Sequence, residues 1–379
     1  MKKFRIGLVV NKSTSRCYST IRPFKFHVGA SFVGKPAHPD DKPPKTAGFP
    51  DGPLKQWRDK TLEWPKGIAS DQSGHDFFYV QEMKNGSGVS FGVADGVGGW
   101  SNVGIDPAMF SQSLMYHAHR YSKNAWAGEP ETDPTQDMDE PVEGWELTPQ
   151  ECLDLAYGGV QREKSVQCGS STACIINMNA SSGLLRAANL GDSGFTIIRS
   201  NTPFYVQPPQ THYFNCPKQL SKIPEFMKSD GSIVDHPSDA DLYSINLQGG
   251  DIVIAYTDGL SDNLFPNDIT AITSLVMRSN LDDFELAQTL ADRLVLYATQ
   301  CMWDKRRKSP FEQGCKAAGQ FWRGGVSIII ICFCLLLFTD FYFSIESRRV
   351  SSSIIASSQT HADRLDSVTV LVALVYEDI

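Results

Sequence analysis

Three short aspartate-containing segments hold the residues of this 379-residue chain that are best suited to chemistry. In each segment an aspartate follows an apolar run of the kind that forms a buried strand, and a glycine or serine comes next. Carboxylates at strand ends, followed by residues that let the backbone approach closely, provide the oxygen ligands that a hard divalent cation needs. The segments are ADGVGGW around Asp95, NLGDSG around Asp192 and TDGLSDN around Asp258.

Each of these segments, taken alone, is also the sequence of an ordinary turn between two strands. Three of them, each behind an apolar run, favour a different arrangement in which the aspartates converge on one site. The sequence therefore predicts a metal centre rather than three independent turns.

The composition of the chain excludes some classes of protein. A hydrophobic content of 41% and a charged content of 21% are typical of a globular protein. After Pro39 there are 27 Lys and Arg residues against 43 Asp and Glu residues. Such a body repels phosphate backbones, which argues against nucleic-acid binding. The nine cysteines form no CxxC pair and no zinc-ligand spacing, which indicates reduced side chains in a reducing compartment.

Residues 1–39 have the composition of a targeting segment. They contain eight Lys or Arg residues, several serines and no acidic residue, as mitochondrial transit peptides do. The segment Arg16–Ser19 resembles a matrix-processing site, and a solvated basic tail is the alternative interpretation. Residues 40–69 are rich in proline and predict a linker or an irregular arm.

From residue 70 onward, apolar runs of strand length alternate with helical patterns. Strands are predicted near 77–80, 88–94, 172–178, 184–199 and 251–256. Thr148 and Glu151 form a capping box that opens a helix, and another helix is predicted around 283–298. Residues 127–145, with seven acids and no base, predict a surface insertion. The pattern indicates an α+β sandwich in one domain, 70–379.

The order of these motifs resembles that of the metal-dependent protein phosphatases of type 2C. The resemblance covers residues 74–375 and depends on the sequence of motifs, since none is specific alone. Two further features, the variant DGVGGW and the segment Tyr213–Ser221, are similar to the mitochondrial branch of that family. The motifs in order are DG at Asp95, GSSTA from Gly169, NLGDS at Asp192, TDGLSDN at Asp258 and DSVTV from Asp366.

The resemblance implies a four-layer fold, an antiparallel β-sandwich flanked by helices, with two Mg²⁺ or Mn²⁺ ions at one end. The ions would share a bridging water that attacks a phosphoserine or phosphothreonine in line. By resemblance, Asp95 bridges both metals and Gly96 offers its carbonyl to one of them. Asp258 would bind the first metal and Asp366 the other.

The resemblance also assigns secondary positions. Asp192 and Asp262 match residues that bind a weaker third ion or orient metal-bound water, and Asp76 matches an acid outside the direct ligands. His75 stands where the family has an acidic residue, so it is either a metal ligand better suited to Mn²⁺ or a structural group.

Two further features depart from the family pattern. Val97 replaces a histidine that serves many relatives as general acid. Arg58 is the nearest upstream candidate for the phosphate-binding arginine.

The implied substrates are phosphoproteins of the mitochondrial matrix, with enzymes of ubiquinone synthesis among the candidates. The alternative is a pseudophosphatase that binds phosphoproteins with little or no turnover, or a membrane-tethered form of one. His75 and Val97 favour this alternative. Five aspartates at motif positions oppose it, since they are costly to bury without a cation.

An apolar run from Val326 to Phe338 interrupts the predicted domain. It is marginal as a membrane span, and a span here would put a bilayer between Asp366 and Asp95. It also exceeds the usual length of a buried strand.

Removing the segment Val326–Asp363 joins WRGG to RLDSVTV and restores a continuous family motif. Because valine codons begin with GT, as introns do, the hypothesis is that this segment is translated intron. A long loop, a re-entrant hairpin and a membrane anchor at 326–343 are the alternatives.

Overall fold

The computed structural model describes residues 22–34, 48–63, 73–128, 146–228, 233–325 and 367–377. The strands are β1 (Phe24–Val33), β2 (Asp76–Glu82), β3 (Gly88–Asp95), β4 (Gly169–Ser171), β5 (Ala173–Asn179), β6 (Leu184–Leu190), β7 (Gly194–Arg199), β8 (Thr202–Val206), β9 (Thr211–Tyr213), β10 (Cys216–Pro217), β11 (Leu220–Lys222), β12 (Asp241–Asn246), β13 (Ile252–Tyr256) and β14 (Val368–Glu377). The helices are α1 (Pro53–Glu63), α2 (Ala108–Ser122), α3 (Pro149–Arg162), α4 (Asp258–Ser261), α5 (Pro266–Val276), α6 (Asp283–Trp303) and α7 (Pro310–Ala317).

Two five-stranded antiparallel sheets form the centre of the molecule. One has the order β1-β14-β13-β7-β8 and the other the order β12-β6-β5-β3-β2. Their facing sides enclose a core that includes Phe78, Phe91, Phe195 and Leu371. Helices α2 and α3 cover the outer side of the second sheet and α6 that of the first. This four-layer arrangement confirms the predicted α+β sandwich.

Strand β1 corrects the predicted boundary at residue 39. It pairs along its whole length with β14, so residues 24–33 belong to the sandwich and not to a basic tail. The Gln288 side chain holds β1 on helix α6, because its Nε2 donates to the Ala30 carbonyl at 2.7 Å and its Oε1 accepts from the Ala30 amide at 3.3 Å. Phe32 is fully buried. A processing site would therefore lie before residue 22, in a part of the chain outside the described residues.

Helix α1 corrects the interpretation of residues 40–69 as a linker. Leu54 is buried in the core under α2, and the Trp57 ring packs on Phe77 and Tyr116 at centroid distances of 5.4 and 5.5 Å. Its first residue, Pro53, suits the start of a helix because the missing amide hydrogen would have no partner there. The prolines of this segment thus flank an ordered element that packs on the domain.

Helix starts elsewhere follow the sequence closely. At α3 the Thr148 Oγ1 accepts from the Glu151 amide at 3.2 Å, and the Glu151 carboxylate accepts from the Thr148 amide at 2.9 Å. This is the predicted capping box. Asp106 Oδ1 accepts from the Ala108 amide at 3.0 Å and so orders the first turn of α2.

Within the part of the chain that the structure describes, no helix combines the length and apolarity needed to cross a membrane. The apolar run at 326–338 lies outside the described residues.

His117 gives the domain a predictable response to acid. Its ring lies between α2 and α3, where a Cβ on Gly159 would come within 2.4 Å of the His117 Cγ, and it is 6% exposed. Burial lowers the pKa of His117 from 6.5 to about 4, against the opposing effect of Glu163. The unfolded chain therefore binds this proton at a higher pH than the folded one.

We expect the free energy of unfolding to fall as the pH drops from 6.5 towards 4, with His117 contributing a loss of about 3 kcal/mol. Urea unfolding with a chelator present, at pH 7 and pH 4.5, would measure it. The His117→Asn variant should lose less stability than the wild type over this pH interval. Identical losses would show that His117 does not cause the change.

Candidate active site

Asp76 and Asp95 lie opposite each other where β2 begins and β3 ends. They are partners in the antiparallel register of these strands. Just beyond them the Gly96 amide donates to the His75 carbonyl at 3.2 Å, which continues the pairing by one residue. Asp76 is fully buried, whereas Asp95 is partly exposed. The structure thus places a buried carboxylate opposite a partly exposed one, and the roles of the two residues stay predictions.

Thr257 ties the segment that carries Asp258 to Asp76, across the two sheets. Its hydroxyl donates to the Asp76 Oδ2 at 2.7 Å and accepts from the Thr369 amide at 3.1 Å. The three residues come from β2, from the end of β13 and from β14. Because all three groups are buried, this link holds the ends of three strands in a defined relative position. Asp258, which directly follows Thr257, begins α4 at the same end of the sandwich.

A second hydrogen-bonded link joins the segment of Asp192 to Asp95. The Thr172 Oγ1 accepts from the Asp95 amide at 3.1 Å and lies 2.7 Å from the Ser193 Oγ. Ser193 is the neighbour of Asp192, which lies in the turn between β6 and β7. The strand-end turns with Asp95 and Asp192 are therefore held together through one buried threonine.

Of the remaining predicted ligands, the structure describes Asp262 but not Asp366. Asp262 caps the end of α4, where its amide donates to the Asp258 carbonyl at 2.8 Å. Asp366 lies outside the described residues. Its neighbour Ser367 is placed, and its Oγ accepts from the His75 amide at 3.2 Å. The chain just after Asp366 therefore lies beside the turn that precedes Asp95.

Two glycines of the predicted motifs allow close backbone approach at this end of the sandwich. A Cβ on Gly96 would lie 2.5 Å from the Pro107 carbonyl oxygen, and one on Gly259 would lie 2.1 Å from the Ser367 carbonyl oxygen. Side chains at either position would push apart the segments that carry the aspartates. The imidazole of His75 lies near Gly98, since a Cβ there would be 3.4 Å from its Nδ1.

The donor set at this end suits a hard divalent cation. Asp95, Asp192, Asp258 and Asp262 offer carboxylate oxygens, and Gly96 offers a carbonyl in a backbone held too tightly for a side chain. Among the residues that the structure describes, no three His, Cys, Asp or Glu side chains form a group that could hold a metal ion. The ligand set therefore stays a prediction, and it includes Asp366 from outside those residues.

A third buried network, which the sequence did not reveal, holds the turn after Gly96. The Trp100 Nε1 donates to the Ser170 Oγ at 2.7 Å, and the Ser170 hydroxyl donates to the Gln219 Oε1 at 2.7 Å. The Gln219 amide donates to the Asp235 carboxylate at 2.9 Å, and His212 lies 3.0 Å from the same carboxylate oxygen. The motifs ADGVGGW, GSSTA and Tyr213–Ser221 contain three of these residues, but the hydrogen bonds between them could not be predicted because the residues are far apart in sequence.

Arg58, the candidate phosphate-binding arginine, lies on α1 with its guanidinium on Asp59 at 2.5 Å. Burial raises the pKa of the Asp106 carboxyl, and the positive charge of Arg58 partly offsets this effect. Asp106 is the neighbour of Pro107, whose carbonyl packs against Gly96. Arg58 is thus placed on the side of the domain where α2 begins, and its role stays a prediction.

Comparisons with known proteins agree with this fold. No protein-family model matches the sequence. A human "Protein phosphatase PTC7 homolog" is 36% identical over 253 residues, which cover 66% of this chain and 75% of that protein. "Probable protein phosphatase 2C 80" from Arabidopsis thaliana is 36% identical over 236 residues, 62% of this chain. The chain spans about half of that plant protein's length, 49%. The chain belongs to the type 2C protein phosphatase family.

Its relatives within that family include proteins named as PTC7 homologues. The 5-azacytidine resistance protein azr1 of Schizosaccharomyces pombe is 32% identical over 274 residues, 72% of this chain and 85% of that protein. The solved structure of the photosystem II phosphatase PBCP has a TM-score of 0.55 at 22% identity, and it covers 92% of this chain and 98% of that one. The structural likeness extends to the fold alone. The family recognised from the motifs is confirmed.

Proposed function

We propose that this chain is a Mg²⁺- or Mn²⁺-dependent protein serine/threonine phosphatase. The observation that carries the proposal is a pair of buried hydrogen-bonded links: Thr257 joins the segment of Asp258 to Asp76, and Thr172 joins the segment of Asp192 to Asp95. These segments come from both sheets. Their linkage supports a preorganised site rather than separate turns.

The chain's own residues would perform distinct tasks. Asp95, Asp258 and Asp366 would hold two metal ions with the Gly96 carbonyl, and Asp192 and Asp262 would hold a weaker third ion or orient water. Bound metal would supply Lewis-acid polarisation of the phosphoryl oxygens and of the attacking water. Asp76, fully buried and hydrogen-bonded to Thr257, would keep the Asp95 segment in position. Phosphoserine and phosphothreonine proteins are the substrates that the family membership supports.

A pseudophosphatase is the second candidate function. Val97 favours it because the family's histidine is absent from the turn after Gly96, and a valine side chain has no proton to donate. The hydrogen-bonded aspartate segments oppose it. A chain that only bound phosphoproteins would have no need of links that orient strand-end carboxylates.

The proposed location is mitochondrial, in the matrix, with enzymes of ubiquinone synthesis as candidate substrates. The basic composition of residues 1–21 supports a removable targeting segment. Its removal before residue 22 would leave β1 intact, as the fold requires. A membrane-associated form would depend on residues 326–343 acting as an anchor.

We further propose that the segment Val326–Asp363 is foreign to the fold. The described chain stops at Gly325, where a Cβ would lie 2.7 Å from the Met302 Cα at the end of α6. It resumes at Ser367, and the next residue, Val368, shares a hydrophobic cluster with Met302. Both flanks of the segment therefore belong to the layer formed by α6 and the sheet that it covers, and we propose that a short connection could replace the segment.

The test compares two proteins that begin at Arg22, one with the full remaining sequence and one without Val326–Asp363. Both are assayed for Mn²⁺-dependent hydrolysis of a phosphothreonine peptide. Activity confined to the shortened protein would support both proposals, and equal activity would make the segment a tolerated insertion. Folded but inactive protein in both cases would refute the phosphatase proposal in favour of the pseudophosphatase.

A further inference from the structure

Residues 303–325, here called the α7 unit, form a basic segment within the part of the chain after Pro39, which is otherwise acidic. The unit contains six Lys and Arg residues and two acidic ones, whereas the rest of the chain after Pro39 has 21 basic residues and 41 acidic ones. Five of the six basic side chains belong to exposed residues, and the sixth, Arg307, pairs with Asp268 at 2.5 Å. The exposed basic residues are Lys305, Arg306, Lys308, Lys316 and Arg323.

The α7 unit lies directly on the motif that carries Asp258 and Asp262. The Phe311 amide, in the first turn of α7, donates to the Asp262 carbonyl at 3.2 Å. Arg307 Nη1 donates to the Asn263 carbonyl at 3.3 Å. On the inner side of the helix, the pKa of the Cys315 thiol is raised to about 11, first by burial and then by the nearby charge of Asp262. The basic surface therefore adjoins the candidate metal centre.

The α7 unit also packs on the loop that follows β9. The Phe214 ring lies 5.4 Å from that of Phe311, and a Cβ on Gly314 would come within 2.7 Å of the Phe214 ring. Trp322 completes this cluster at 5.6 Å from Phe311, and Lys305 Nζ lies 5.9 Å from the Trp322 ring. The unit is thus a packed element between the Asp262 motif and a surface loop, which allows its charges to act at a defined place.

The negative charge of a phosphoprotein substrate explains how such a basic surface could act. A phosphorylated side chain carries close to two negative charges at pH 7, and the acidic body of this protein repels it at long range. Salt screens exposed charges beyond about 8 Å, so metal ions in the site would attract the phosphate but not acidic residues several positions away from it. Exposed basic residues beside the site would attract those flanking acidic residues.

We propose that the exposed basic surface of the α7 unit recruits phosphoprotein segments that carry acidic residues next to the phosphoserine or phosphothreonine. This inference rests on the proposed phosphatase function and adds a substrate class to it. The competing partner is an anionic membrane, because Phe321 is 92% exposed and Trp303 is 60% exposed in the same unit. The contact between the α7 unit and Asp262 favours the peptide. A membrane would bind a basic surface equally well if that surface lay far from the candidate metal centre.

The test uses the double charge reversal Arg306→Glu/Lys308→Glu, in the connection between α6 and α7. The matched control is Arg120→Glu/Lys123→Glu at the far end of α2. That helix begins beside Pro107, near Gly96, and its 15 residues span roughly 22 Å. Substrates are an acidic phosphothreonine peptide, a neutral one of equal length, and p-nitrophenyl phosphate. Fluorescence anisotropy measures binding of the acidic peptide independently of turnover.

We expect the test variant to lower kcat/KM for the acidic peptide about tenfold or more at low salt, with the deficit shrinking as salt is added. Turnover of p-nitrophenyl phosphate by the test variant should be unchanged. The control variant should hydrolyse all three substrates at the wild-type rate. Equal losses on both peptides, or a similar loss in the control pair, would overturn the inference. So would binding to anionic vesicles that depends on these residues without any preference among peptides.

Failure of the phosphatase proposal would appear differently in the same experiment. Wild-type protein that binds the acidic peptide through Arg306 and Lys308 but hydrolyses none of the three substrates would refute the proposed activity and retain the recruiting surface. Wild-type protein that hydrolyses all of them without preference would retain the activity and refute the surface.

Discussion

Replacing Asp95 by alanine should lower the Mn²⁺-dependent hydrolysis of a phosphothreonine peptide by at least about 10³-fold. Asp95 ends β3 opposite the buried Asp76, and its amide is held by Thr172. Its carboxylate is the one predicted to bridge both metals. In that role, loss of the carboxylate would remove a ligand from two ions at once, and no neighbouring backbone oxygen would carry the charge to replace it.

A measurement of metal binding separates this role from a structural one. Metal at 100 times its dissociation constant stabilises a folded protein by about 2.7 kcal/mol. Wild-type protein should therefore unfold at a higher temperature with Mn²⁺, and the Asp95→Ala variant should gain little. Asp154→Ala, at an exposed position on α3, is the matched control and should retain both properties. Full activity of Asp95→Ala would refute the bridging role.

Replacing Phe32 by alanine should lower the free energy of unfolding by about 3–5 kcal/mol. Phe32 is fully buried in β1, and its ring lies 5.7 Å from that of Phe78 on the opposite sheet. The substitution leaves a cavity between the sheets in a domain whose total stability is of the order of 5–15 kcal/mol. Urea unfolding measures the change, and Phe226→Ala, at a site 87% exposed, should alter it by less than about 0.5 kcal/mol.

Truncation gives a stronger form of the same prediction. A protein that begins at Arg22 should fold and keep its stability. One that begins at residue 35 loses all of β1, exposes the edge of β14 and uncovers α6, which lies so close to β1 that a Cβ on Gly29 would come within 2.4 Å of the Ala287 carbonyl carbon. We expect it to be insoluble or to lack a cooperative unfolding transition. Equal stability of the two proteins would show that the N-terminal strand is dispensable.

The sequence alone indicated the local parts of the site. An aspartate at the end of an apolar run, followed by glycine or serine, indicates a strand end from a few adjacent residues, and this identified the strand ends at Asp95, Asp192 and Asp258. The capping box at Thr148 is equally local. The family then followed from the order of such motifs, because order along the chain is itself a property of sequence.

Tertiary structure decided what depends on distant partners. β1 is a strand because β14, more than 300 residues later, pairs with it, and its basic surroundings resembled a targeting segment. Thr257 matters because folding brings its hydroxyl to Asp76, 181 positions away. The α7 unit lies beside Asp262 through a backbone hydrogen bond that no local pattern predicts. Strand ends and turns could be predicted because they depend on adjacent residues. The hydrogen bonds between them form only when segments distant in sequence pack together in the sandwich.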